Sequence, residues 1–366
     1  MKTSLQALSQ IRCNYVGPVT ALATFPEHEC TSLLAAVGPV IQIYDLKSKC
    51  KTQSIRAFAQ ERCHGIRVSQ SRALVFGGQS FATAKFSKYG WCEIAPLKER
   101  RTHDWILDGC LVSSDEAILI TAHNEVLIYN GPELTAIHKA EERPLLYSAA
   151  LHYEVSTETL QVAVGTVFSQ ILLWKIDLRR TAVRTKSQGA IHSRLSGHEG
   201  VIFDLSWDRL GKYLASCSDD RSVRLWNTHS GECENVGWGH AARVWRVAIV
   251  NGIRLISTSE DATARIWSVS KTGALNQDRV LDGHIGKHIW SFAWSDNSIW
   301  TGGADGKLLQ WRVTTIQKIA SPIPCTSKSN SQTLEGHIES TFANVTSFAI
   351  IDLYRFLASY TTGQAA

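Results

Sequence analysis

Short apolar stretches alternate with polar residues along this chain and break at glycine or proline. Val19 to Phe25 reads Val-Thr-Ala-Leu-Ala-Thr-Phe, and Leu33 to Val37 and Val40 to Tyr44 follow on either side of Gly38-Pro39. Near-alternate burial bounded by turn residues is the signature of half-buried strands joined in hairpins. The pattern recurs from His64 to Phe86 around Gly77-Gly78, from Trp105 to Asn130 around Ala122-His123-Asn124-Glu125, and from Tyr147 to Asp177. No segment carries the long 3.6-residue periodicity of an amphipathic helix. The pattern predicts an all-β chain made of repeated antiparallel units.

From residue 197 these units acquire a fixed grammar: a Gly-His pair, a strand, a Ser/Thr-x-x-x-Asp turn, and a Trp six residues after the Asp. The three copies span Gly197-His198 to Trp226, Gly239-His240 to Trp267, and Gly283-His284 to Trp311. His-to-His steps of 42 and 44 residues match the WD40 repeat, in which each repeat forms one four-stranded propeller blade. Three strong repeats over 197–314 and four degenerate ones over 15–177 make seven, a number that closes a ring and leaves few strand edges open. Residues 1–314 are therefore expected to form a seven-bladed WD40 β-propeller. Residues 315–333, rich in Ser, Thr and Pro, read as a linker. From 334 to 366 the grammar restarts at Gly336-His337 but stops before an Asp turn or Trp, a partial extra blade at the C-terminus.

Each strong repeat holds a set of four polar partners: His198, Ser216, Asp220 and Trp226; His240, Ser257, Asp261 and Trp267; His284, Thr301, Asp305 and Trp311. Ser, His and Asp also make a hydrolase triad. Here they recur at blade period with a Trp, and no enzyme needs three copies of one triad, so a structural tetrad is the reading. No Cys or second His stands at zinc spacing from these histidines. No Gly-x-Gly-x-x-Gly opens a helix after a strand, and Gly302-Gly303-Ala304-Asp305-Gly306-Lys307 lacks the spacing and the Ser/Thr of a phosphate loop. The chain is read as a non-enzyme without cofactor or metal.

Composition narrows the class further. The 366 residues hold twelve Trp, one Met and 44% hydrophobic residues, which suits one large β domain built on repeated aromatic positions. Nine scattered cysteines without a Cys-x-x-Cys pair suggest reduced thiols rather than disulfides. No apolar run reaches membrane-spanning length and no signal peptide is evident, so a cytoplasmic location is expected. The formal net charge is +5. Part of it lies at Lys98, Arg100 and Arg101, and part at Lys175, Arg179, Arg180, Arg184 and Lys186. The second of these loops, with Arg179, Arg180, Arg184 and Lys186, is the candidate for RNA phosphates.

Partners are expected on the face that carries the Gly-His and Asp turns, because strand ends are fixed there while the loops vary. An aromatic follows each signature His: Phe203, Trp245 and Trp290. As exposed side chains they would form an anchor patch for a partner, with Arg243 and Lys287 beside them.

The phrases Gly197-His-Glu-Gly-Val-Ile-Phe-Asp-Leu-Ser-Trp207, Gly239-His-Ala-Ala-Arg-Val-Trp245, Ser259-Glu-Asp-Ala-Thr-Ala-Arg-Ile-Trp267, Gly283-His-Ile-Gly-Lys-His-Ile-Trp290 and Thr301-Gly-Gly-Ala-Asp-Gly306 resemble the first propeller of one WD-repeat family. It is the family of non-catalytic regulators of tRNA (position 34) 2′-O-ribose methyltransferase. Val75-Phe76-Gly77-Gly78 and Asp104-Trp105-Ile106 look similar to it too. The resemblance implies a scaffold that binds the catalytic methyltransferase subunit and supports methylation of the wobble nucleotide, with tRNA as a further candidate partner. The alternative class is a WD40 adaptor of a ubiquitin ligase or a trafficking complex.

Overall fold

In the computed structural model the described residues are 17–323, apart from breaks at 25–31, 70–71, 88–89, 92–96, 114, 181–185, 251–253, 270–273, 296–297 and 313–319. Seven sheets, antiparallel but for one added strand, follow one another along the chain, and they form a seven-bladed β-propeller. Blades 1 to 7 comprise residues 19–56, 65–101, 106–140, 146–196, 202–237, 244–282 and 289–323. The first strand of each blade packs against the first strands of its neighbours, and Val19–Thr24 of blade 1 packs against Ile289–Ser295 of blade 7. The ring is therefore closed.

Closure has a polar and an apolar component. Leu22 N donates to Ser291 Oγ at 2.9 Å, and Thr24 Oγ1 donates to the Trp294 carbonyl at 2.8 Å. Val19, Leu22, Leu33 and Val37 of blade 1 bury themselves with Ala293, Trp300 and Leu308 of blade 7. Similar polar stitches join other neighbours: Asp108 accepts from Leu151 N, Ser148 Oγ donates to the Ile202 carbonyl, and Asp204 accepts from Val247 N. Asp108, Ser148, Asp204 and Ser291 occupy one equivalent place on the first strand. Each directly follows a one-residue bulge, which turns its side chain toward the next blade.

Two observations modify the expected domain limits. Ala320–Ile323 is a strand, paired with Leu308–Arg312 as the fourth strand of blade 7. The expected linker thus contributes to the propeller. Its proline hid the strand, yet Pro322 sits on an edge strand, the place in a sheet where proline is tolerated. Blade 3 takes its fifth strand from outside its own segment. Lys186–Gly189 leaves the blade 4 segment, pairs in parallel with Glu133–Ala140 of blade 3, and returns as Ile191–Ser196 to close blade 4. The expected partial blade at 334–366, and 324–333 of the linker, lie outside the described residues.

Candidate functional site

The three strong repeats build one hydrogen-bond chain each. In blade 5, Trp226 Nε1 donates to Ser216 Oγ at 2.7 Å, Ser216 Oγ lies 2.7 Å from His198 Nε2, and His198 Nδ1 lies 2.7 Å from Asp220 Oδ2. Blade 6 repeats it through Trp267, Ser257, His240 and Asp261 at 2.8, 2.8 and 2.9 Å. Blade 7 does so through Trp311, Thr301, His284 and Asp305 at 2.9, 2.8 and 3.0 Å. If the serine or threonine hydroxyl donates to Nε2, the imidazole is neutral with its proton on Nδ1, and every donor has one acceptor. Burial pushes the His198 and His240 imidazoles down, against the opposing pull of their aspartates. Burial raises Asp220 and Asp261, but hydrogen bonds from the histidines and from Ser222 or Thr263 outweigh it and hold both carboxyls well below their usual range.

These aspartates also fix two loops at once. Asp220 accepts from the backbone N–H of Glu199 in the Gly-His loop and of Ser222 beyond its own turn. Asp261 and Asp305 make the same pairs of contacts. With no solvent-facing nucleophile, the arrangement serves to hold the loops of one propeller face.

Blade 3 reaches a similar end with its roles exchanged. The carboxylate stands in the loop and the histidine in the turn: His123 Nδ1 lies 2.9 Å from Asp104 Oδ2, and His123 N donates to the same oxygen at 3.0 Å. Next to it the buried Glu125 carboxylate gathers His103, Lys139 and Arg143 at 3.0, 2.6 and 3.3 Å. In blade 2, His64 is pushed down to about 4 by burial, helped by the Arg246 charge. The degenerate half had no Asp-Trp signature to reveal these groups. The legible signals were the Ala-His-Asn-Glu turn at 122–125 and the Asp104-Trp105-Ile106 phrase.

The aromatics that follow the signature histidines do not stand out as an exposed rim. Trp245 is 9% exposed, and Phe203 and Trp290 are half-buried. They pack against one another with tilted rings instead: Phe203 to Trp245 at 4.7 Å and Trp245 to Trp290 at 5.1 Å between ring centroids. The expectation of protruding anchors is corrected, because each sits at the first-strand bulge, which turns it toward its neighbour in the ring. Arg243 is exposed but engaged with Asp219 at 2.6 Å, and Lys287 is exposed. The side chains that do protrude beside the Gly-His pairs are Trp238, 60% exposed and two residues before His240, and Ile285, 69% exposed and directly after His284. Position alone could not have singled them out.

The basic loop is divided among elements. Arg179 and Arg180 lie in a 3-10 turn, where Arg179 Nε is 3.2 Å from Asp177, and Lys186 begins the strand added to blade 3. The side chains of Arg180 and Lys186, and all of Arg184, lie outside the described residues. Among the described residues no group of three or more His, Cys, Asp or Glu is placed to hold a metal ion, and no helix is long and apolar enough to cross a membrane.

Comparison with known proteins agrees with this architecture. The family model of the WD domain, G-beta repeat, matches residues 189–227, 231–268 and 275–312. The tRNA (34-2'-O)-methyltransferase regulator WDR6 of Mus musculus is 30% identical over 326 residues, covering 81% of this chain and 27% of the relative. The Homo sapiens counterpart is also 30% identical, over 81% of this chain and 28% of its own length, and that of Drosophila melanogaster is 25% identical over 69% and 28%. The chain spans roughly a quarter of the length of these curated relatives. Among solved structures, the WD40 β-propeller domain of Doa1 superposes with a TM-score of 0.60 at 17% identity, covering 83% of this chain and 93% of that one. That likeness concerns the fold.

Proposed function

For a chain that is a WD40-repeat protein and resembles the tRNA (34-2'-O)-methyltransferase regulators along 81% of its length, we propose a non-catalytic scaffold role in wobble-position methylation. The scaffold binds a separate methyltransferase subunit, which supplies the chemistry, and presents it to tRNA. The observation that carries this reading is the extent of the likeness: it covers 326 residues, whereas the WD-repeat model reaches only 189–312. Resemblance to the repeat alone would stop at blades 5 to 7.

The face of the Gly-His and Asp turns is the docking surface in this reading. Its loops are fixed by the three tetrads, so contact residues on them are pre-ordered. Trp238 and Ile285 protrude there and take the leading anchor role, with the more recessed Phe203, Trp245 and Trp290 behind them and Arg243 and Lys287 at the edge. The segment of Arg179, Arg180, Arg184 and Lys186 is the proposed contact to tRNA phosphates, and the complex is placed in the cytoplasm.

Affinity purification of the tagged chain, together with mapping of tRNA ribose methylation in cells lacking it, tests the proposal. The expected result is a co-purified 2′-O-methyltransferase and loss of methylation at position 34. Unchanged methylation there, with ubiquitin-ligase or coat subunits in the eluate, would replace it with the adaptor reading.

A further inference from the structure

The first strands of six blades carry a one-residue bulge near their start. In blades 4 to 7 the bulged residue is Tyr147, Phe203, Trp245 and Trp290 in turn, whereas in blades 1 and 3 it is Thr20 and Leu107. Four aromatics thus stand at one equivalent position in four successive blades, at the strand ends nearest the Gly-His loops. Their rings form a continuous chain, with centroids 4.9, 4.7 and 5.1 Å apart. They run across the inner strands of blades 4 to 7.

We propose that this aromatic arc is a receptor for an unpaired nucleobase of a single-stranded RNA loop. The proposal rests on the tRNA reading above and adds a base contact to the phosphate contact proposed at 179–186. Three features point to it. The arc is recessed, since Trp245 is 9% exposed and the other three rings are half-buried. The rings meet at 72°, 45° and 40° rather than face to face, so the part of Tyr147, Phe203 and Trp290 left open is ring surface on which a flat base can stack, not an anchor that enters a partner's pocket. The arc is also pre-ordered: Trp245 Nε1 donates to His288 Nδ1 at 3.2 Å, and His288 stacks on Trp290 at 4.7 Å with an interplanar angle of 10°. Little side-chain entropy is then lost on binding. Finally, the exposed Lys287 adjoins His288, while the charge of the neighbouring Arg243 is met by Asp219 and Glu260. A cation beside aromatic faces is the arrangement that binds a base and its phosphate together in single strands. A paired base cannot enter, because its faces are covered by its stacking neighbours.

The test uses the purified full chain and two labelled RNAs, a tRNA anticodon stem-loop and a fully paired duplex of equal length. Fluorescence anisotropy should show tighter binding of the stem-loop. Trp290→Ala should weaken it by about fivefold to a hundredfold, the range expected for loss of one stacked base, while Trp290→Phe retains most of the affinity. Lys287→Gln, a surface change, should reduce the salt slope of stem-loop binding by about 0.7. Equal binding of the two RNAs overturns the proposal, as does an unchanged salt slope in Lys287→Gln. Loss of methyltransferase co-purification in Trp290→Ala with RNA binding intact assigns the arc to the protein partner instead. If Trp290→Ala restores position-34 methylation in cells lacking the chain, the arc falls while the scaffold reading stands.

Discussion

Trp174 of blade 4 donates its indole N–H to Asn124 Oδ1 in the turn of blade 3, at 3.1 Å. In blades 5 to 7 the corresponding indole donates to a hydroxyl of its own blade, so this contact moves the same bond across a blade boundary. Asn124 is fully buried, has φ of 57° and donates to the Glu142 carbonyl at 2.9 Å. Asn124→Ala leaves a buried indole donor and a carbonyl without partners and puts a Cβ residue without local support in the left-handed region. The expected loss is about 2–4 kcal/mol by denaturant unfolding. Asn124→Gly keeps the backbone conformation at ease and should cost less.

Removing one tetrad acid exposes the cost of an incomplete chain. Asp261→Ala takes away the acceptor of His240 Nδ1 and of the Ala241 and Thr263 N–H groups, and should cost about 1–3 kcal/mol or more. Ser113, a loop residue whose hydroxyl accepts from Glu116 N, should tolerate Ala with little change. Equal melting shifts for the two substitutions would contradict the structural role of the tetrads.

Acid should unfold the propeller in two stages. His64, His198 and His240 are held neutral, His64 pushed down to about 4. Their contribution is complete above about 6.5 and fades as pH falls from there. Asp220, Asp261 and Asp305 are depressed, so their contribution is complete above about 4 and is lost only below it. Melting temperatures across this range should fall in both windows, and His64→Gln should flatten the upper one. A His64→Gln protein with an unaltered slope between about pH 6.5 and 5 would remove His64 from the account.

Every turn between the second and third strands of a blade contains one residue of positive φ: Gly38, Gly78, Asn124, Ser169, Arg221, Ala262 and Gly306. Arg221 is exposed, with φ of 70°. Arg221→Gly relieves the Cβ strain and should stabilise by about 0.5–1 kcal/mol, while Gly306→Ala should destabilise by about 1 kcal/mol. Thermal melts of the two variants should therefore move in opposite directions.

The seam between blades 7 and 1 is closely fitted. A Cβ added at Gly302 would lie 2.5 Å from Val19 Cγ1. Gly302→Ala should cost about 1–3 kcal/mol, and adding Val19→Ala should recover part of it, a coupling that a double-mutant cycle measures. Additive effects would place the strain elsewhere.

Strand order and the closing ring were legible in the sequence because the alternation and the Gly-His to Trp spacing act locally and repeat. The tetrads were legible for the same reason. What escaped depended on neighbours distant in sequence. Pro322 masked an edge strand, Lys186–Gly189 joined a blade other than its own, and the carboxylate and histidine at 104 and 123 exchanged positions, so no motif matched. The aromatics Phe203, Trp245 and Trp290 were identified at equivalent positions, but their mutual packing follows from a backbone bulge that residue types do not announce.

The stitch from Ser291 to Leu22 joins residues 269 positions apart, whereas nearly all other strand pairing lies within one blade. Closing so long a loop costs conformational entropy that no local contact repays in advance. Blades can form one after another, but the ring's last contact must await both ends. The seam should therefore govern the folding rate, and variants there should slow refolding of the whole propeller, whereas equal destabilisation at an outer strand should mainly hasten its opening.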